Sequence, residues 1–205
     1  MAAFLHAFVT LFAILDALGN IPVFLTLTAD LDPAARRRTA LRSPLYMAAV
    51  LIFFSVAGRV IFQVFGITLP AFRVTGGLIL LKVGFDMMEA RGLRMKHTQE
   101  EEAEALTRED ISLIPLAVPM LAGPGAISAT LALTETFAPP AGLPLLWGAI
   151  AANAVCVYVA FRLAEPLSRW LGETGVRLTT RFMGLILTSL AVQFILDGIR
   201  ELWGA

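Results

Sequence analysis

Two short interruptions carry most of the chemically capable residues of an otherwise apolar chain: DALGNIP at residues 16 to 22 and AGPGA at residues 122 to 126. In the first, Gly19 permits backbone angles closed to other residues, Asn20 can cap a new helix, and Pro22 lacks the N–H that a first helical turn leaves unpaired. Gly123, Pro124 and Gly125 repeat that logic. A break of this kind exposes backbone N–H groups on one side, at the positive end of a helix dipole, and carbonyls on the other. The N–H groups suit a carboxylate, and the carbonyls suit an ammonium group or a cation. Asp16, beside the first break, is placed to take an ammonium, to carry a coupling proton or to cap exposed amides. The plainer reading of either break alone is a proline kink.

The surrounding elements must then be membrane helices. Of the 205 residues, 58% are hydrophobic, above the roughly 45–50% of soluble domains. Six apolar runs are long enough to cross a bilayer, at about 3–28, 44–65, 70–89, 112–136, 143–164 and 181–203. The fold class expected is all-α: a polytopic membrane helix bundle in a single domain, residues 1–205. Zero formal net charge gives no sign of nucleic-acid binding. Cys156 is the sole cysteine, so neither an internal disulfide nor a multi-cysteine metal site can form, and no metal or cofactor is expected. The N-terminus has no basic region or cleavage site and reads as a retained span.

Twelve of the sixteen Lys and Arg residues fall in or beside the odd-numbered loops. These are Arg36, Arg37, Arg38 and Arg42; Arg91, Arg94, Lys96 and Arg108; and Arg162, Arg169, Arg177 and Arg181. The positive-inside rule then places the odd loops in the cytoplasm and both termini outside. The acidic run 100–104 weighs little in that rule and reads as part of a solvated linker.

The halves also resemble each other. RVTGGLILLKVGFD from Arg73 and RFMGLILTSLAVQFILD from Arg181 share an opening Arg, a Gly three residues on (Gly76, Gly184) and an Asp near the far end (Asp86, Asp197). Gly19 precedes Arg73 by 54 residues, and Gly123 precedes Arg181 by 58. Two three-span repeats at about 3–89 and 112–203, joined by a linker at about 90–111, would enter the membrane from opposite faces. Each would have a broken first helix, the inverted-repeat plan of many secondary transporters.

Intramembrane polar residues are costly and so are candidates for function. Besides Asp16, Gly19, Asn20, Ile21, Pro22, Gly123, Pro124 and Gly125, the candidate substrate-binding residues are Thr26, Ser128, Asn153 and Gln193. The two amides equally suit interhelical hydrogen bonds. Asp16, Asp86 and Asp197 are candidates for ion coupling, while Lys82 and Asp86, four apart, suit an internal ion pair. Arg73 and Arg181 could snorkel to opposite faces. Neither HExxH nor GxSxG occurs, and His6 and His97 lie far in sequence from Cys156, so an intramembrane enzyme is not expected.

The motifs DALGNIPVFLTLT, FRVTGGLILLKVGFDM, IPLAVPMLAGPGAIS and RFMGLILTSLAVQFILDGI together resemble the MarC (UPF0056-type) family, which includes the SnatA small neutral amino acid transporters. The likeness runs from about Phe8 to Ile199, with Ala17 where the family usually has proline. It implies a six-span protein of the bacterial inner membrane that moves glycine, alanine and similar zwitterions, coupled to a proton or sodium gradient. Its motif positions fall on Asp16, Gly19, Asn20, Pro22, Gly123, Pro124 and Gly125. Import and export, export of another small metabolite or drug, a non-transporting accessory role and homo-oligomers all remain compatible with the sequence.

Overall fold

The computed structural model describes residues 2–89, 112–137 and 142–203. The expected linker at 90–111, with its basic and acidic residues and His97, lies outside these, as do Pro139, Pro140 and Ala205. The described residues are helical, without strands: α1 (Ala2–Leu15), α2 (Ile21–Leu27), α3 (Pro33–Phe65), α4 (Leu69–Met88), α5 (Ser112–Leu121), α6 (Pro124–Thr136), α7 (Leu143–Arg162) and α8 (Ala164–Trp203). The apolar run expected at 3–28 is thus two helices, α1 and α2, and that at 112–136 is α5 and α6. Both are interrupted at the glycine and proline positions.

Local chemistry fixes the ends. Asp32 caps α3 by accepting a hydrogen bond from the Ala35 amide at 2.7 Å, with Pro33 in the first turn. That helix begins well before the apolar stretch at 44–65, because an N-cap and a proline start a helix regardless of where lipid begins. It stops at Gly66, in the left-handed region (φ 66°). Thr68 caps α4 in the same manner, accepting from Ala71. Gly172, also left-handed (φ 63°), divides α8 into a short leading segment and a longer one. α5 is wound as a π-helix, and its last turn passes into a bond from the Ala122 amide to the Ala117 carbonyl at 2.8 Å, five residues back. Pro115 and Pro119 each withhold an N–H donor there, which weakens an α-helical ladder.

Among the described residues, three helical stretches are long and apolar enough to cross a membrane: Pro33–Phe65, Leu143–Arg162 and Thr174–Trp203. Ala3–Leu15 is a shorter apolar helix. α4 has the length, but Arg73, Lys82 and Asp86 interrupt its apolar surface. Large apolar side chains such as Val60, Val64, Phe65, Phe182 and Leu185 stand exposed, as lipid-facing positions do.

α4 and α8 run antiparallel and form the most extensive helix pair. Along the contact Gly77 sits against Ala191 and Ile195, Gly84 against Gly184 and Thr188, and Gly198 against Pro70 and Val74. Small residues let the two backbones touch, which is how helices associate where no hydrophobic drive exists between them. Elsewhere, α1 packs on α7 and α3 on α7, the latter with Trp147 Nε1 donating to Ser55 Oγ at 3.0 Å. Phe24 of α2 stacks on Phe161 of α7, centroids 4.4 Å apart. Most hydroxyls serve their own helix: those of Thr28, Ser43, Thr130, Thr134, Thr188 and Ser189 donate to the carbonyl four residues earlier.

Candidate functional site

The first break is held by its own side chains. α1 ends as Asp16 enters the left-handed region at φ 45°, an uncommon place for a residue other than glycine. The Asp16 carboxylate folds back so that Oδ1 accepts from the Gly19 amide at 3.0 Å. A side chain on Gly19 would occupy the space of that carboxylate, so any larger residue there would displace it from the Gly19 amide. Asn20 departs from the role expected of it. It stands at the start of α2 but makes no capping bond to that helix. Its Nδ2 instead reaches backward and donates to the carbonyls of Leu15 and Asp16, both at 3.0 Å. The Leu15 carbonyl is one the break has freed, since the Gly19 amide turns to Asp16 Oδ1, whereas the Asp16 carbonyl also accepts from the Asn20 backbone amide at 3.1 Å; the protein thus fills with its own side chain part of the space offered to a ligand cation. Asp16 and Asn20 are 3% and 2% exposed.

The second break is simpler. Gly123 is extended and forms the N-cap of α6, with Pro124 in the first turn. Gly125 and Ala126 follow, where amides have no carbonyl partner within the helix. Gly125 lies against Leu80 of α4, so a larger residue would press on that helix.

The two breaks meet. One cavity of about 360 Å³ is lined by Asp16 and Asn20 from the first and by Gly123, Pro124 and Gly125 from the second. α4 contributes Ile79, Leu80, Lys82, Val83, Asp86 and Met87, and α5 contributes Met120 and Leu121, with Ile14, Ala126 and Leu187 completing the wall. Lys82 and Asp86 do not form the internal ion pair that their spacing suggested: among the described residues neither makes a salt bridge or hydrogen bond. Both face the cavity instead. Lys82 is the charged lining residue that sequence reasoning left out of the site. Its signal was present as a cation within an apolar run, and was spent on the neighbouring carboxylate.

The other candidates fall elsewhere. Ile21 is buried and lines a separate small cavity with Leu18, Leu167 and Leu171. Pro22 opens α2 outside the cavity wall, and the Thr26 hydroxyl donates to its carbonyl at 3.0 Å. Ser128, fully buried, donates to the Phe72 carbonyl at 3.3 Å and so ties α6 to α4. Asn153 donates to Ala149 O at 2.9 Å and across to Phe8 O at 3.2 Å, joining α7 to α1. Gln193 donates to Asp197 Oδ1 at 2.8 Å, and both line a different cavity. Arg73 does not snorkel: its side chain is 13% exposed and forms an ion pair with Glu201 on α8.

The sequence of this broken-helix bundle matches the model of the MarC family integral membrane proteins over residues 1–203. The chain belongs to the MarC family. Among its MarC relatives, the UPF0056 membrane protein YhcE of Escherichia coli is 37% identical over 196 residues, covering 96% of this chain and 91% of that one. A UPF0056 membrane protein of Methanocaldococcus jannaschii is 38% identical, covering 96% of each chain. One from Bacillus subtilis, YvbG, is 32% identical over 97% of this chain and 94% of its own. No solved structure matches. As a MarC protein with several apolar helices, the chain is a multi-pass membrane protein.

Proposed function

We propose that this MarC protein is a secondary transporter of small neutral amino acids and not an enzyme, and that the cavity between the two breaks is its substrate site. The observation that carries the reading is the meeting of both breaks, Lys82, Asp86 and Asp16 around one space of about 360 Å³. A small zwitterion needs both signs of charge in a small volume. Its carboxylate would lie between Lys82 and the first-turn amides of α6, and its ammonium between Asp16 and Asp86. Broken helices presenting bare backbone to a buried site are the recurrent substrate device of secondary transporters.

In this reading α1–α2 and α5–α6 each cross the membrane as one interrupted span, giving six crossings. They form two inverted repeats that rock for alternating access, in a bacterial inner membrane with both termini outside. Asp16 and Asp86 are the groups placed to couple a proton or sodium ion.

The test is uptake of labelled alanine into proteoliposomes. Saturable uptake, competed by glycine but not by acetate or methylamine, is the expected result. Uptake no greater than in empty liposomes would defeat the reading. Lys82→Met is expected to raise the KM for alanine about tenfold or more, the equivalent of about 1.4 kcal/mol of lost charge-assisted bonding. Asn153→Leu serves as the contrast. Removing its amide leaves the Phe8 carbonyl without that donor and should cost about 1–3 kcal/mol of stability, read as a lower Tm, with the KM for alanine unchanged.

A further inference from the structure

A second cavity, of about 520 Å³, lies toward the end of the bundle formed by the start of α1 and the end of α8. It is framed by α1, α4, α6 and α8, the helices that also contribute to the central cavity. The two are stacked. On α1, Thr10 lines the second cavity and Ile14 the central one; on α6, Ala129 and Ala126; on α8, Leu190 and Leu187. Each pair is three or four residues apart, so at a rise of about 1.5 Å per residue the layer between the cavities is about one helical turn thick.

The second cavity also carries both signs of charge. Arg73 is drawn in from α4 and ion-paired to Glu201 through Nη1, while its buried Nε has no hydrogen-bond partner among the described residues. A guanidinium binds a carboxylate best through two parallel donors, and the pairing with Glu201 through Nη1 leaves the Nε edge of the fork unused. One turn along α8 from Glu201, Asp197 is oriented by the bond from Gln193. This carboxylate is placed for an ammonium group.

We propose that this cavity is a second binding site for the same small zwitterions, in which Arg73 takes the carboxylate through its Nε edge and Asp197 the ammonium. From it the substrate passes to the central site across a single helical turn. The proposal rests on the transport reading above. It adds a loading site to it, outside the two breaks.

Calorimetric titration of glycine into the full-length protein, in nanodiscs of phosphatidylcholine, tests it. Two sites of unequal affinity are expected in the wild type. Arg73→Gln should weaken one of them at least tenfold and leave the other, whereas Lys82→Met should weaken the complementary one. Asp197→Asn provides an independent second variant should Arg73→Gln not fold, and is expected to affect the same site as Arg73→Gln. A single site in the wild type, or two affinities untouched by the Arg73 and Asp197 variants, would overturn the second site while leaving the transport reading intact. Absence of any saturable heat would defeat both. Repeating the titration in phosphatidylethanolamine separates a free amino acid from a lipid headgroup of similar charge. Loss of the second site only in that lipid assigns the cavity to the headgroup and overturns the proposal; two sites in both lipids support it.

Discussion

Asn20→Asp is expected to abolish alanine uptake and to destabilise the protein as severely as Asn20→Leu, although aspartate has nearly the shape of the residue it replaces. Both hydrogens of the Asn20 amide are committed, one to Leu15 O and one to Asp16 O, each at 3.0 Å. An ionised carboxylate donates nothing. It would face two carbonyl oxygens at close range, next to the carboxylate of Asp16, in a place 2% exposed to solvent. The Leu15 carbonyl stripped of its donor costs about 1–3 kcal/mol, and the Asp16 carbonyl, which keeps the Asn20 backbone amide, loses a second bond of about 1 kcal/mol, so the loss should be about 2 kcal/mol or more against a total stability of the order of 5–15 kcal/mol. Thermal unfolding and proteoliposome uptake, read side by side, measure it. Wild-type stability and uptake in Asn20→Asp would show that the amide does not hold the break open.

Gly84→Val should be severely damaging although it lies outside the site. A Cβ at Gly84 would stand 3.0 Å from the Gly184 carbonyl oxygen and 2.9 Å from the Thr188 amide nitrogen, and would also meet the Thr188 hydroxyl. Two of these three neighbours are backbone and cannot swing aside, so α4 and α8 would have to separate along their length. Overpacking costs about 1–3 kcal/mol, occasionally more, and this position belongs at or above the top of that range. Gly58→Val is the matched comparison, because there the new Cβ meets the side chain of Leu131, which can turn away. Its Tm should fall much less than that of Gly84→Val. Equal losses in the two would show that the α4–α8 contact is not governed by backbone proximity.

Much of the helical plan was legible before any coordinates. Apolar runs announce helices because lipid-facing and core-facing positions are both apolar, and the runs at 3–28 and 112–136 correspond closely to α1–α2 and α5–α6. The breaks were legible because Gly19, Pro22, Gly123 and Pro124 act locally on the backbone. What the residues beside them do was less so. Spacing shows that Lys82 and Asp86 share a helical face, but not that this face meets a cavity. Asn20 obeys the rule for a helix start by position and breaks it by direction, because the carbonyls of Leu15 and Asp16 behind it compete for the same amide. The pairing of Arg73 with Glu201, 128 residues away, has no local signature at all. Nor does the choice of a π-helix for α5, since two prolines in a segment announce a disturbed ladder without saying how it is rewound.

The hydroxyls that bond along their own helices add no tie between the two ends of the sequence. Neutral polar links that join 2–89 to 112–203 include Asn153 to Phe8, Trp147 to Ser55 and Ser128 to Phe72. Each is worth about 1 kcal/mol net. A glide of one half over the other would forfeit about 3 kcal/mol from these three bonds, and it would also have to part Arg36 from Glu165, Arg59 from Glu135 and Arg73 from Glu201.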